Sequence, residues 1–123
     1  MRYMLLTHYS EGDGLRQNEE AVAAAMDAMA AYAATLEAAG VLVAAEVLGS
    51  SESSTTVSLV TGELRIQDGP FADTKEQLGG VFVIEVADPD AALAWAQQAP
   101  PVRWGSVEIR PVATYAVAGV WVE

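Results

Sequence analysis

A chain of 123 residues makes one domain, residues 1–123, and leaves no room for a second of ordinary size. With 52% hydrophobic and 19% charged residues it has the apolar material for a core and lacks the composition of a disordered chain. Its formal charge of −11 repels phosphate backbones and anionic lipid, so nucleic-acid and membrane binding are set aside; the charge serves solubility or a basic partner.

The lack of cysteine removes disulfides, thiolate nucleophiles and Cys-based zinc sites, and a single histidine rules out a His-rich centre. No metal and no cofactor is expected. The N-terminal run has no signal-peptide layout, and the longest apolar stretch, Val112 to Val122, is too short to cross a bilayer. The expectation is a cytoplasmic protein. A chain of this size leaves about a third of its unfolded surface exposed after folding, so with so many apolar residues a homodimer is expected.

Arg2 to Tyr9 reads as a first strand, apolar on both faces. Ser10 to Gln17 is a polar loop with Gly12 and Gly14. Asn18 caps a helix running to about Ala39, with Glu19 and Glu20 at the positive end of its dipole. Val22, Met26, Met29, Ala33 and Leu36 draw its apolar stripe, and Gly40 ends it. Val41 to Leu48 is a second strand, followed by a Ser-rich turn. Thr55 to Val60 and Glu63 to Gln67 form a hairpin through Thr61-Gly62, with positive φ at Gly62. Val81 to Val86 is the next strand. Asp88-Pro89 starts a second helix that Pro100-Pro101 stops. Ser106 to Val112 is the last core strand, and Ala113 to Val122 adds one more, bent at Gly119.

The order β-α-β, hairpin, β-α-β matches an α+β, ferredoxin-like sheet with two helices on one face. The other face, rich in Val and Ile, then needs a cover, which a second subunit stacking sheet on sheet supplies.

The segment Asp68-Gly69-Pro70-Phe71-Ala72-Asp73-Thr74-Lys75-Glu76-Gln77-Leu78-Gly79-Gly80 concentrates three carboxylates, the only lysine and a Gly-Gly pair. Structurally, Asp68 suits an Asx turn. Asp73 and Glu76 have capping-box spacing for a short helical turn, Thr74 to Gln77, and Gly79-Gly80 permits a bulge or close approach. Functionally, Asp68 and Asp73 are candidate acid–base groups, because carboxylates sharing a pocket push one pKa upward. His8 is the one ready proton shuttle at neutral pH. Lys75, Arg110, Phe71 and Tyr9 are candidate ligand contacts. Arg110 and Glu85, charges inside apolar strands, call for partners. Trp95 and Trp104 read as packing residues.

Asp68 to Glu76, with the opening Arg2-Tyr3-Met4-Leu5-Leu6, the junction Ala39-Gly40-Val41-Leu42-Val43, and the stretches Leu78 to Val86, Asp88 to Trp95 and Val107 to Pro111, resembles the DGPF branch of the YCII-related family over about residues 1–112. The resemblance implies a ferredoxin-like fold and a dimeric α/β barrel. Some relatives carry a His–Asp pair proposed as catalytic, with the histidine on the first helix, where this chain has none; others of similar architecture act on muconolactone-type or chlorinated aromatic breakdown products. The resemblance therefore implies a small-molecule pocket between sheet and helices, with possible lyase- or isomerase-like chemistry. The genomic company of DGPF proteins implies an alternative, a non-catalytic regulator docking on an extracytoplasmic-function sigma factor.

Overall fold

A computed structural model describes residues 1–11 and 18–122. Most of the expected Ser10–Gln17 loop, Gly12 and Gly14 included, lies outside the described residues. Strand β1 (Arg2–Ser10) leads to α1 (Glu19–Ala38), β2 (Leu42–Val47), the hairpin β3 (Thr55–Val60) and β4 (Glu63–Asp68), then β5 (Glu76–Glu85), α2 (Pro89–Gln97), β6 (Gly105–Pro111) and a terminal hairpin, β7 (Tyr115–Val117) and β8 (Val120–Val122). The four core strands form one antiparallel sheet in the order β2-β5-β1-β6. The first and third core strands are thus central neighbours.

Helix boundaries follow local chemistry. The Asn18 side chain accepts hydrogen bonds from the amides of Glu20 and Ala21, satisfying donors that the first turn leaves over. At the other end Gly40 takes φ +74°. The Gly40 amide donates to Glu37 and the Val41 amide to Leu36, the paired bonds of a Schellman ending. Asp88 accepts from Ala91 N at 2.8 Å, with Pro89 opening α2.

The core lies between the helices and one face of the sheet. Tyr3 and Leu5 of β1 and Phe82 and Ile84 of β5 pack with Met29, Tyr32 and Leu36 of α1 and Ala92 and Ala96 of α2. Tyr32 falls outside the five-residue stripe read from the sequence, yet it is buried; the 3.6-residue period carries the contact face through it. Its ring meets Phe82 edge to face at 5.1 Å and its hydroxyl donates to Trp95 O at 2.7 Å. Burial pushes its pKa up to about 12. Trp95 and Trp104 pack against the same core.

Two elements differ from the sequence reading. First, Thr74 to Gln77 forms no helical turn and Asp73 caps nothing; β5 begins at Glu76, five residues before the expected Val81. The loop is held another way. Gln77 Nε2 donates to Ala72 O at 2.9 Å and Thr74 O at 3.2 Å, and the Thr74 hydroxyl to Glu76 O. Long-range pairing extends the strand, because β1 runs on to Ser10 and pairs it with Glu76. Asp68 likewise ends β4 rather than heading a turn. Second, residues 113–122 form a tight hairpin instead of one bent strand. Ala118 at φ +51° precedes Gly119 at φ +80°, the positive pair that closes a two-residue loop.

Candidate functional site

Concave surface gathers at the end of the sheet where β1 and β2 finish and β5 begins. A cavity of about 350 Å³ lies between α1 and the sheet, walled by Val22, Met26, Met29, Val47 and Leu48. Tyr9, Ser10 and Trp104, residues that carry polar groups, also line it. Of the candidate residues, Tyr9 alone lines this cavity. Its ring lies over Gly79, where an added Cβ would fall 2.1 Å from the ring carbon Cζ, and its hydroxyl donates to Gly79 O at 3.3 Å. Gly80 is as constrained: its Cβ would fall 2.8 Å from Glu46 O. The Gly-Gly pair is therefore a site of close approach, and the β1–β5 register shifts there, between Thr7 and His8.

Asp68, Asp73 and Lys75 share a second, shallower hollow with Glu11, Glu52 and Gln67. The Glu11 carboxylate is engaged there by the Ser51 amide at 2.8 Å and by the Ser51 hydroxyl. His8 and Phe71 line a third hollow, roofed by the Ser-rich turn and the loop before β5. Phe71 is 89% exposed, so its ring is no core residue. His8 lies two residues inside the end of β1 at Ser10. Arg110 apart, the candidates thus divide among three hollows, the second and third of which adjoin through Ser51, Pro70, Thr74 and Gln77, and His8 does not hydrogen-bond either Asp68 or Asp73.

The carboxylate that His8 does meet is Glu108. His8 Nε2 stands 3.2 Å from Glu108 Oε1, and Arg110 Nη2 donates to Glu108 Oε2 at 2.5 Å. The reason is register: Glu108 and Arg110 alternate on one face of β6, and β1 pairs antiparallel with β6, Leu6 opposite Glu108 and His8 opposite Ser106. Glu108 was missed by the sequence reading. Its signal was the spacing Glu108-x-Arg110, which puts both side chains on the same strand face. The Arg110 hydrogen bond first, then that of His8, holds the Glu108 carboxyl below the usual glutamate range. Glu85 finds its partner similarly, with Arg2 Nε 3.9 Å from its carboxylate across the β1–β5 ladder.

A lowered carboxylate pKa means that the charged cluster is complete above the ordinary glutamate range and is lost as pH falls through the depressed value. Side-chain carboxylate carbon shifts in NMR are expected to place Glu108 below a free glutamate. In Arg110→Met the midpoint moves back up; an unchanged midpoint would show that Arg110 is not the cause.

Comparison with known proteins places the chain. Residues 1–116 match the model of the YCII-related domain, and the chain belongs to that family. A segment of 65 residues is 42% identical to an uncharacterised protein of Rhizobium meliloti (strain 1021), covering 51% of this chain and 52% of that one. The chain thus matches about half the length of this relative. Among solved structures, 5-chloro-2-hydroxyhydroquinone dehydrochlorinase from Burkholderia phenoliruptrix AC1100, in complex with 2,5-dihydroxybenzoquinone, aligns with a TM-score of 0.49 and 16% identity over 91% of this chain and 93% of that one. The mixed α+β architecture described above, an antiparallel sheet carrying two helices, stands on its own strand order. Among the described residues no helix is long and apolar enough to cross a membrane.

Proposed function

We propose that this chain is a small-molecule-binding protein of the DGPF branch, with a ferredoxin-like fold that works as a homodimer, and that its ligand sits in the cavity between α1 and the sheet. One observation carries the reading: about 350 Å³ between helix and sheet that the side chains of the described residues do not fill. Protein interiors pack to crystal density and leave few such spaces, and ligand pockets begin near 300 Å³. The wall chemistry defines the ligand. Valine, leucine and two adaptable methionines suit a compact, mostly apolar molecule, while Tyr9, Ser10 and Trp104 offer contacts for one polar group.

The test uses N-phenyl-1-naphthylamine, an uncharged apolar fluorophore. It is expected to bind saturably with blue-shifted emission, and Ala25→Leu, a change at an α1 residue that also lines the cavity, is expected to weaken binding about tenfold. Equal binding by both proteins would exclude the cavity as the site.

A second reading, lyase- or isomerase-like acid–base chemistry, is favoured by the His8–Glu108 pair. A carboxylate on Nε2 fixes the imidazole and leaves Nδ1 to accept a proton from a substrate in the adjoining hollow. Regulation through a sigma factor draws on the acidic surface alone and takes nothing from these hollows.

A further inference from the structure

The cavity between α1 and the sheet does not end where its own walls do. Met26, Met29 and Val47 line it and also line a further hollow of about 200 Å³, whose remaining walls are Ala30, Ala33, Ala45, Glu46 and Phe82. The two spaces adjoin, with the two methionines at the threshold.

Residue size explains this second space. The register of β2 sets Ala45 opposite Phe82 and Val47 opposite Gly80. Phe82 is buried in the core beneath the helices, so Ala45 and Val47 face α1 as well. At Ala45 this edge strand sends only a methyl group towards the helix. Ala30 and Ala33 each follow a threshold methionine by one turn of α1 and are equally short. Small side chains from both walls leave a groove where helix and strand would otherwise pack to full density. Its apolar rim is uncovered: Met26 and Val47 are 49% and 47% exposed.

Length and polarity define what fits. From Val22 in the cavity to Ala33, the last groove residue on α1, the helix rises ~16 Å. That is the reach of about a dozen carbons in an extended chain with bonds near 1.5 Å. Among the described residues no lysine, arginine or histidine lines either space. A carboxylate brought there would lose hydration and gain no cation, against a chain that already carries −11. The walls thus favour an uncharged polar group. Tyr9, Ser10 and Trp104 favour the cavity end for it, because they line the cavity and not the groove.

We infer that the ligand is a linear amphiphile, with an uncharged head in the cavity and an unbranched alkyl chain that passes Met26 and Met29 into the groove between α1 and β2. Methionine suits the threshold, since its flexible side chain re-packs readily around a guest. The inference rests on the cavity reading and extends it: the compact, polar end of the molecule fills the cavity, and the chain leaves it.

The experiment displaces N-phenyl-1-naphthylamine from the full chain with straight 1-alkanols, hexanol to tetradecanol, below their solubility limits. Each added methylene is expected to tighten competition by up to about fourfold, until affinity levels off at about a dozen carbons. Ala45→Leu and, separately, Ala33→Leu fill the groove from its two walls. Each is expected to leave naphthylamine and hexanol binding within about twofold of the wild type and to weaken dodecanol at least about tenfold. Dodecanoate is expected to compete at least about tenfold less well than dodecanol. An affinity that stops rising at hexanol, or a dodecanol affinity that both variants leave unchanged, overturns the inference and leaves the cavity standing as a site. Dodecanoate that binds as tightly as dodecanol overturns the uncharged head. Naphthylamine that fails to bind the wild type removes the cavity reading itself, and the chain with it.

Discussion

Gly105→Ala is expected to destabilise the protein by about 4 kcal/mol or more, an exceptional loss for one methyl group. A Cβ at this position would fall 2.0 Å from His8 O, 2.8 Å from Tyr9 Cβ and 3.0 Å from the His8 carbonyl carbon. The obstacle is backbone of β1, a central strand fixed on its other edge by β5. Neither partner has anywhere to go. For a domain of this length 1 kcal/mol lowers Tm by roughly 3–6 °C, so thermal unfolding is expected to drop by about 15 °C, or the protein to arrive unfolded. Gly40→Ala is the control. Nothing lies within 4 Å of its added Cβ, and φ +74° leaves only backbone strain, about 1 kcal/mol. If the two variants melt together, steric approach at β1–β6 is not what requires glycine at 105.

Local signals in the sequence reached far into this fold. Asn18, Gly40 and Asp88-Pro89 marked helix ends correctly because capping is decided by neighbours in the chain. Thr61-Gly62 marked a hairpin for the same reason. The start of β5 was illegible: Asp73-x-x-Glu76 is a sound local cap, and only pairing with Tyr9 and Ser10, some 65 residues away, turns Glu76 and Gln77 into strand. Gly79-Gly80 announced close approach, but not that the approaching groups are the Tyr9 ring and the backbone of β2.

The candidate site divides along the same line. His8 was visible as the sole imidazole, and Arg110 as a charge needing a partner. That one carboxylate, Glu108, serves both depends on the β1–β6 register, which residue types do not encode singly. The density of Asp68, Asp73 and Lys75 within thirteen residues suggested one constellation with His8. They occupy a different hollow, because Asp68 sits at the end of β4 and Asp73 and Lys75 on the loop before β5, while His8 lies within the β1 ladder. The pocket between sheet and helices, expected to be lined by these polar groups, is instead walled mainly by aliphatic side chains and methionine.

Gly79→Ala is expected to act on the cavity between α1 and the sheet rather than on the fold as a whole. Here the added Cβ meets Cζ, Cε1 and Oη of Tyr9, at 2.1 to 2.3 Å. This is the far end of a side chain, and since the Tyr9 ring borders the cavity, it has open space to turn into that the Gly105 neighbours lack. Stability is expected to fall by only about 1–3 kcal/mol, the usual cost of overpacking, while the displaced ring occupies the ligand's space and naphthylamine binding falls at least about tenfold. Tyr9→Ala removes the obstacle. In the double variant most of the Gly79→Ala penalty should vanish, a coupling of about 1–2 kcal/mol in a double-mutant cycle between residues in contact. Binding should recover with it, because the cavity is again clear. Additive stabilities, together with unchanged binding in Gly79→Ala, would mean that the Tyr9 ring is no wall of the pocket and that the ligand volume between α1 and the sheet is bounded elsewhere.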